Sequence, residues 1–442
     1  MNSTDTPAPR GQEPSPTTNA RPRSPNASTY RWAVVGMLWF ICFFNYADRL
    51  AIFSVFPVLE KKYHFTKSEL GLIGAMFTWV YAAAAPLAGQ VGDRYPRKWV
   101  ILGGLYVWSL ITGLTAHCTK VWQFVLVRGA EGLGETFYMP ASMALISDYH
   151  TPATRSRAIG LHTTSVYAGT IGGGALAGWM GQKYGWQSPF LALAIAGIVL
   201  GFVLHTFIRE PRRNEAERQE RGGALEAGEP ERIPMCAFLA EFYRTPTAVL
   251  LIVAYFGAQV VGLVFLTWMP SFLKEKFGLN LAEAGLGATF FIQVASMIGA
   301  GLGGIIADHW SRWRAEGRIR MQALAVLLGS PFVFLCGYTL NPWMLIAAMS
   351  LYGLSRGMYD SNLTAAFYDV IAPDRRSTAT GLMNLLGWVG GGLGSLAIGI
   401  AVDHHITMSA AISSTAVVYF TVACVLYYAS VFTAPHDIRR RR

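Results

Sequence analysis

Asp48 and Arg49 stand side by side in the sequence Asn45-Tyr46-Ala47-Asp48-Arg49, inside an apolar stretch that runs from Trp32 to Leu59. A carboxylate can take up and release a proton, and a guanidinium can grip an anion with a bidentate fork. A second group, Arg128, Glu131 and Glu135, lies in another apolar stretch at spacings of three and seven residues. On a helix that spacing places all three on one face within two turns, about 10 Å from end to end. A third group is Arg356, Tyr359, Asp360 and Asn362. Ionisable residues at membrane depth are expensive, and they are tolerated where they face a partner or a wet cavity.

Burial disfavours a carboxylate's charge and a neighbouring arginine favours it. Asp48 and Glu135, held between these effects, are candidate proton-coupling residues. Arg49, Arg128 and Arg356 are candidate contacts for an anionic substrate. Arg356 and Asp360, four residues apart, are also placed to neutralise each other. Glu131 is assigned to the substrate group, with a purely structural ion pair as the alternative. Tyr46, Tyr359, His162, Gln259 and Asn384 are further substrate-binding candidates, beside Thr163, Tyr167, Gln293 and Trp388. His162 fits equally a hydrogen-bonded packing residue, and the amides fit interhelical hydrogen bonding.

The sequence contains no HExxH, GxSxG or P-loop motif, so hydrolase chemistry and ATP-driven work have no support. Gly299-x-Gly301-x-x-Gly304 has dinucleotide-site spacing but lies in an apolar stretch that follows no strand. Gly169-x-x-x-Gly173 and Gly174-x-x-x-Gly178 read as close helix packing. The five cysteines are scattered singly and suit apolar packing, not a metal site. No cofactor is expected.

These groups need helices to hold them. The chain is 52% hydrophobic and only 14% charged, with a mean hydropathy of +0.34, where a soluble protein carries about 25% charged residues. Twelve stretches reach the length of about 20 residues that a bilayer requires: 32–59, 70–92, 98–117, 122–147, 156–181, 186–208, 248–273, 283–307, 321–340, 342–369, 377–403 and 409–432. Stretches this long read as helices. Residues 1–30, rich in Pro, Ser, Thr and Asn, read as a disordered tail with no signal peptide. The charged insert 209–247 reads as a linker between six-span halves, 31–208 and 248–433, with a surface helix over Met235–Tyr243; 434–442 reads as a basic, solvated tail.

With both termini on one side, 26 of the 36 Lys and Arg residues fall in the tails and loops of that side, seven lie opposite, and three lie within spans. The positive-inside rule places both termini in the cytoplasm. The net charge of +10 is then a topology signal, and nucleic acid is not expected as a partner. An internal repeat supports the division. Asp148, Pro152, Arg155, Ser156, Ala158, Gly160, Gly169, Gly173 and Gly178 recur 221 residues later as Asp369, Pro373, Arg376, Ser377, Ala379, Gly381, Gly390, Gly394 and Gly399. Two parallel six-helix halves are a transporter architecture.

Gly89-Gln90-Val91-Gly92-Asp93-Arg94-Tyr95-Pro96-Arg97-Lys98 resembles the loop signature of the major facilitator superfamily, with Pro96 in place of a glycine. A weaker copy holds Gly304 and Asp308, followed by Arg312 and Arg314. The resemblance, which covers about residues 31–433, implies an all-α membrane protein of twelve transmembrane helices in two pseudo-symmetric six-helix bundles. It makes Gly89, Asp93, Arg94, Arg97, Gly304 and Asp308 gating residues, and it implies a monomer in the cell (inner) membrane. Within the superfamily, Asn45–Arg49 and the Arg128-x6-Glu135 spacing resemble the anion:cation symporters and the Spinster-like lipid transporters. The first branch implies proton-coupled symport of a small organic anion, such as a sugar acid, by alternating access. The second implies export of a lysolipid or an amphipathic drug.

Overall fold

The computed structural model describes residues 25–211, 215–216, 242–372 and 375–441. Among them all regular structure is helical. The amino-terminal half contains α1 (Pro25–Tyr63), α2 (Lys67–Arg94), α3 (Arg97–Thr115), α4 (Val121–Glu135), α5 (Tyr138–Tyr149), α6 (Pro152–Tyr184) and α7 (Ser188–Phe207). The carboxy-terminal half contains α8 (Pro246–Phe277), α9 (Leu281–Trp313), α10 (Gly317–Tyr338), α11 (Pro342–Tyr368), α12 (Arg376–Asp403) and α13 (Met408–Tyr428), with a short α14 (Ala434–Arg441) at the end.

The twelve spans are present, and the fourth is made of two helices, α4 and α5. Pro140 has no N–H for the carbonyl of Thr136, so the hydrogen-bond ladder breaks at Thr136–Phe137, immediately after Glu135. Helix α1 begins at Pro25, inside the segment expected to be a disordered tail; residues 1–24 lie outside the described residues, as does most of the surface helix expected over Met235–Tyr243. The last residues also depart from a simple solvated tail. Asp437 in α14 is buried and accepts from the N–H and hydroxyl of Thr247 at 2.9 and 2.6 Å. It thereby caps the start of α8, while Arg439 and Arg440 remain exposed.

Helix pairing repeats between the halves. In the first, α1 packs on α6, α2 on α4 and α3 on α7; in the second, α8 packs on α12, α9 on α11 and α10 on α13. Spans two and eight start alike, with reciprocal capping boxes Thr66/Glu69 and Asn280/Glu283. The glycine-rich stretch of α6 has two uses. A Cβ on Gly173 would lie 2.5 Å from the backbone of Ala47, so this glycine lets α6 brace the Asp48–Arg49 turn of α1. Gly174 and Gly178 lie against α9 of the other half, where a Cβ would come within 2.7 and 2.5 Å of the Gly285 and Leu281 carbonyls.

The halves meet chiefly through α2 with α12 and α6 with α9. These contacts gather at the face opposite the termini. There the Asp403 carboxylate at the end of α12 accepts from the backbone N–H groups of Lys67 and Ser68 at the start of α2, at 2.9 and 2.8 Å. The Lys67 ammonium reaches Glu60 at 2.7 Å and also Glu275 of the other half. The Ala282 N–H donates to Gln182 at 3.1 Å. On the terminal face the picture reverses: a Cβ on Gly89, Gly160, Gly304 or Gly381 would meet nothing within 4 Å beyond its own helix. The molecule is closed on the side away from its termini and open toward them.

Candidate functional site

The five charged residues of the first two groups come together in the interior of the amino-terminal half, each no more than 6% exposed. Close approach of α4 to α2 makes this possible; a Cβ on Gly132 would lie 2.5 Å from the Phe77 carbonyl oxygen. Arg49 donates to Glu135 Oε2 through Nη2 at 2.8 Å and Nε at 3.2 Å. Arg128 pairs with Glu131 at 2.5 Å and donates through Nη2 to the Arg49 carbonyl at 3.3 Å. The two arginines therefore take one glutamate each.

Asp48 is the remaining acid. Both of its carboxylate oxygens are buried without a hydrogen-bond partner, and it faces Thr112 of α3 together with Glu131 and Glu135. Thr112 spends its hydroxyl proton on the Trp108 carbonyl, at 3.0 Å. Within the Arg49–Glu135 pair, Arg49 Nη1 and Glu135 Oε1 likewise lack partners, so each partner has unused hydrogen-bonding capacity.

The Arg49 guanidinium is boxed by aromatic rings: its Cζ lies 4.6 Å from the ring centre of Tyr46, 4.7 Å from Phe77, 5.0 Å from Tyr81 and 5.8 Å from Trp388. Trp388 belongs to α12, so this cation sits at the seam of the two halves. Arg128 is deeper, 4.6 Å from the other face of the same neighbourhood at Phe77. Cation–π contacts of this kind compensate part of the desolvation of a buried guanidinium.

The third group opens to solvent. Arg356 and Asp360 of α11 pair at 3.4 Å with side-chain exposures of 19% and 42%, although they lie mid-span. Gly262 of α8 makes room for the guanidinium, since a Cβ there would lie 2.6 Å from Nη1. Tyr167 of α6 is an electrostatic neighbour of the pair from across the seam. Tyr359, one residue before Asp360, turns the other way into the core and is buried. Asn362 donates to the Met358 carbonyl at 3.1 Å within its own helix.

The remaining candidates divide. Tyr46 lies in the Arg49 box. Gln259 and Asn384 are half-buried on α8 and α12, and Asn384 stands four residues before Trp388 on the same helix face. His162 is buried elsewhere: its Nε2 meets the Tyr138 hydroxyl at 2.9 Å, and that hydroxyl donates to the Leu38 carbonyl at 2.6 Å. This is the packing arrangement that its sequence context also allowed. Phe77, Tyr81 and Tyr255 were not singled out from sequence. The first two, four residues apart on α2, share a face, which was the available signal.

The residues expected to gate lie at the open face. Arg97 pairs with Asp148 and donates to the Ala144 carbonyl at 3.1 Å. In the second half, Arg318 bridges Asp369 at 3.0 Å and Asp308 at 3.1 Å. The contact with Asp308 is made by Arg318 at the start of α10, while Arg312 of the weaker copy lies in the last turn of α9 and Arg314 pairs with Glu316 at 3.8 Å. The repeat offset identifies Arg318 directly, since Arg97 and Asp148 advanced by 221 are Arg318 and Asp369. Arg155 on the Ser147 carbonyl and Arg376 on the Tyr368 carbonyl obey the same offset. Arg94 is exposed, and the side chain of Asp93 lies outside the described residues.

A twelve-span, two-bundle helical protein with a charged interior seam, closed at one face, is the architecture of a membrane transporter. The sequence model of the Major Facilitator Superfamily matches residues 38–395, and the chain belongs to that family. It is a multi-pass membrane transporter and not an enzyme. Among curated relatives, it is 24% identical to the probable galactarate/D-glucarate transporter of Escherichia coli, over 93% of this chain and 94% of that protein. It is 25% identical to the hexuronate transporter of Bacillus subtilis, over 83% of this chain and 87% of that one. Among solved structures, a bacterial homolog of the human lysosomal transporter Spinster, inward-facing and unoccupied, superposes with a TM-score of 0.76 at 18% identity. That match covers 93% of this chain and 98% of the other and establishes a shared fold.

Proposed function

We propose that the protein couples proton movement to symport of a small organic anion bearing a carboxylate, such as a sugar acid, by alternating access. The observation that carries this reading is the charge inventory of the interior. Two arginines satisfy two glutamates, and one acid, Asp48, is left buried with no partner. An isolated ionised carboxylate is intolerable in such a site, whereas the neutral acid is tenable. Asp48 is therefore the position that carries a proton in this state.

Arg49 supplies the anion contact in the amino-terminal half. Its Nη1, which has no hydrogen-bond partner, can donate to a substrate carboxylate at the seam, and a carboxylate arriving there competes with Glu135 for the guanidinium. A proton taken by Glu135 neutralises the acid so displaced. Arg356 belongs to the opposite half and is partly exposed, and Tyr255 is an electrostatic neighbour both of it and of Tyr46 and Tyr81 in the Arg49 box. Arg128, enclosed with Glu131, acts as a fixed support and not as a ligand. The names of the sugar-acid relatives agree with a carboxylate-bearing substrate.

In this reading the basic loops put the termini in the cytoplasm, so the open face is the inward one. The Asp403 and Lys67 contacts hold the outer face shut, and the Arg97–Asp148 and Arg318–Asp369 clusters act when the inner face closes. The test is reconstitution in liposomes under an imposed pH gradient, with labelled sugar acids offered beside lysophospholipids. Accumulation of an acid that collapses with the gradient is expected. Transport of lysophospholipid alone, with no acid taken up under any gradient, would transfer the protein to the Spinster-like reading.

A further inference from the structure

Away from the seam, at the closed face, a cleft of about 1050 Å³ opens between the end of α10 and the starts of α11 and α13. Its walls are largely apolar, with Phe334, Leu335, Met344, Ala416 and Val417 among the residues that line it. Phe334, Tyr338, Met344 and Val417 expose between 45% and 69% of their surface there. Aromatic and apolar side chains exposed at span ends mark the membrane–water boundary. The cleft is thus set at lipid headgroup depth, and none of the residues that line it belongs to the Arg49 or Arg356 groups.

One cation stands in the cleft. Lys276, in the last turn of α8, places its ammonium on the Gly337 carbonyl at 2.5 Å and packs over Phe272 and Phe277, with ring centres at 5.0 and 5.9 Å. Among the described residues it has no acidic partner, although its neighbour Glu275 is used by Lys67. Several polar groups around it bond within the protein, and none of them is acidic. Asn341 accepts from the N–H groups of Trp343 and Met344, Thr407 accepts from that of Ala410, and Ser413 donates to the Phe334 carbonyl. The ammonium therefore retains donors and a full charge beside an apolar slot.

We infer that this cleft is a binding site for an anionic phospholipid of the leaflet away from the termini, with an acyl chain between α10, α11 and α13 and the phosphate on Lys276. An apolar wall alone would accept any lipid tail; the uncompensated ammonium at its mouth selects for negative charge, and a lysine near a membrane surface favours an anionic headgroup by about fivefold. The headgroup supplies the counter-ion that the protein does not.

Native mass spectrometry of the detergent-purified full chain, titrated in parallel with phosphatidylglycerol and phosphatidylcholine, tests this. The wild type should retain phosphatidylglycerol about fivefold more strongly. Lys276→Gln should equalise the two lipids while still holding one of either. Ala410→Phe, at an exposed position on the cleft wall, should lose both. Equal retention of the two lipids by the wild type, or a surviving preference in Lys276→Gln, would overturn the assignment. So would undiminished retention by Ala410→Phe, since the lipid would then sit elsewhere. Melting of each variant without added lipid separates these outcomes from misfolding.

Discussion

In the amino-terminal half, five charged side chains meet inside the helix bundle; the carboxy-terminal half places one pair, Arg356 and Asp360, where solvent reaches it. The scaffolds nevertheless correspond closely. Helix pairing, the capping boxes of spans two and eight, and the arginine clusters 221 residues apart all recur. Duplication has preserved what holds and moves the helices and has left the interior of each half to diverge. One half holds its charges in ion pairs inside the bundle, and the other leaves one pair accessible. In the proposed proton-coupled reading the two serve different needs, since a proton site has to be shielded from leak while a substrate site has to open to each side in turn.

The contrast can be broken most severely at Glu131. Glu131→Gln leaves Arg128 buried and unpaired, and breaking a buried pair costs about 3–5 kcal/mol. Thermal unfolding in detergent should fall accordingly, and adding Arg128→Gln should recover most of the loss. A double-mutant coupling under about 1 kcal/mol would mean that the pair is not the support inferred here. Glu135→Gln tests coupling instead: gradient-driven accumulation should vanish while counterflow exchange persists, and normal accumulation would remove Glu135 from the proton path.

Arg356→Gln probes the accessible half. A hydrogen bond to a charged group is worth about 1.5–3 kcal/mol, so the half-saturating substrate concentration should rise by about ten- to a hundredfold, with little change in melting. If melting drops as far as in Glu131→Gln, the two halves do not differ in the way described. Asp403→Asn removes a charge from the start of α2, where a carboxylate contributes about 0.3–1 kcal/mol. Labelling of a cysteine introduced at the closed face should speed up by up to about fivefold. The smallest effect on stability is expected for Asp48→Asn, which mimics the protonated acid: melting should stay closer to the wild type than in Glu131→Gln, while transport loses its response to the pH gradient.

Much of this was legible in the sequence, in a physically graded way. The twelve spans and the repeat follow from hydropathy and spacing alone. Yet only nine helices of the described residues are both long and apolar enough to qualify as spans. Helices α4 and α5 are too short, because the fourth span is broken after Glu135, while α6 and α11 have the length and fall short in apolar composition. In α11 that shortfall accompanies Arg356 and Asp360, but α1, which carries Asp48 and Arg49, still qualifies, so hydropathy alone marks only part of the site. The pairing of Arg128 was half legible: three residues is within ion-pair reach along a helix and seven is not, which favours Glu131 over Glu135. That Arg49 would cross to Glu135 depended on the approach of α4 to α1 and α2, and no local pattern encodes it. Arg318 was within reach of the repeat offset but masked by a loop that differs in length between the halves. The cleft at Lys276 joins residues of four helices, α8, α10, α11 and α13, spread over more than a hundred positions, and left no trace in the chain read linearly.

The closure at the outer face has one further property. The donors to Asp403 are main-chain amides of positions 67 and 68, and every residue type except proline supplies one. Drift at those two positions cannot erase the contact, whereas position 403 must keep an acceptor of the right length. In a set of related sequences the Asp403 contact would be nearly silent to co-variation, and only the separate pairs of the Lys67 side chain with Glu60 and Glu275 would leave a paired signal. Gates built from backbone to side chain are therefore a class of element that paired mutations will under-report, and that coordinates reveal directly.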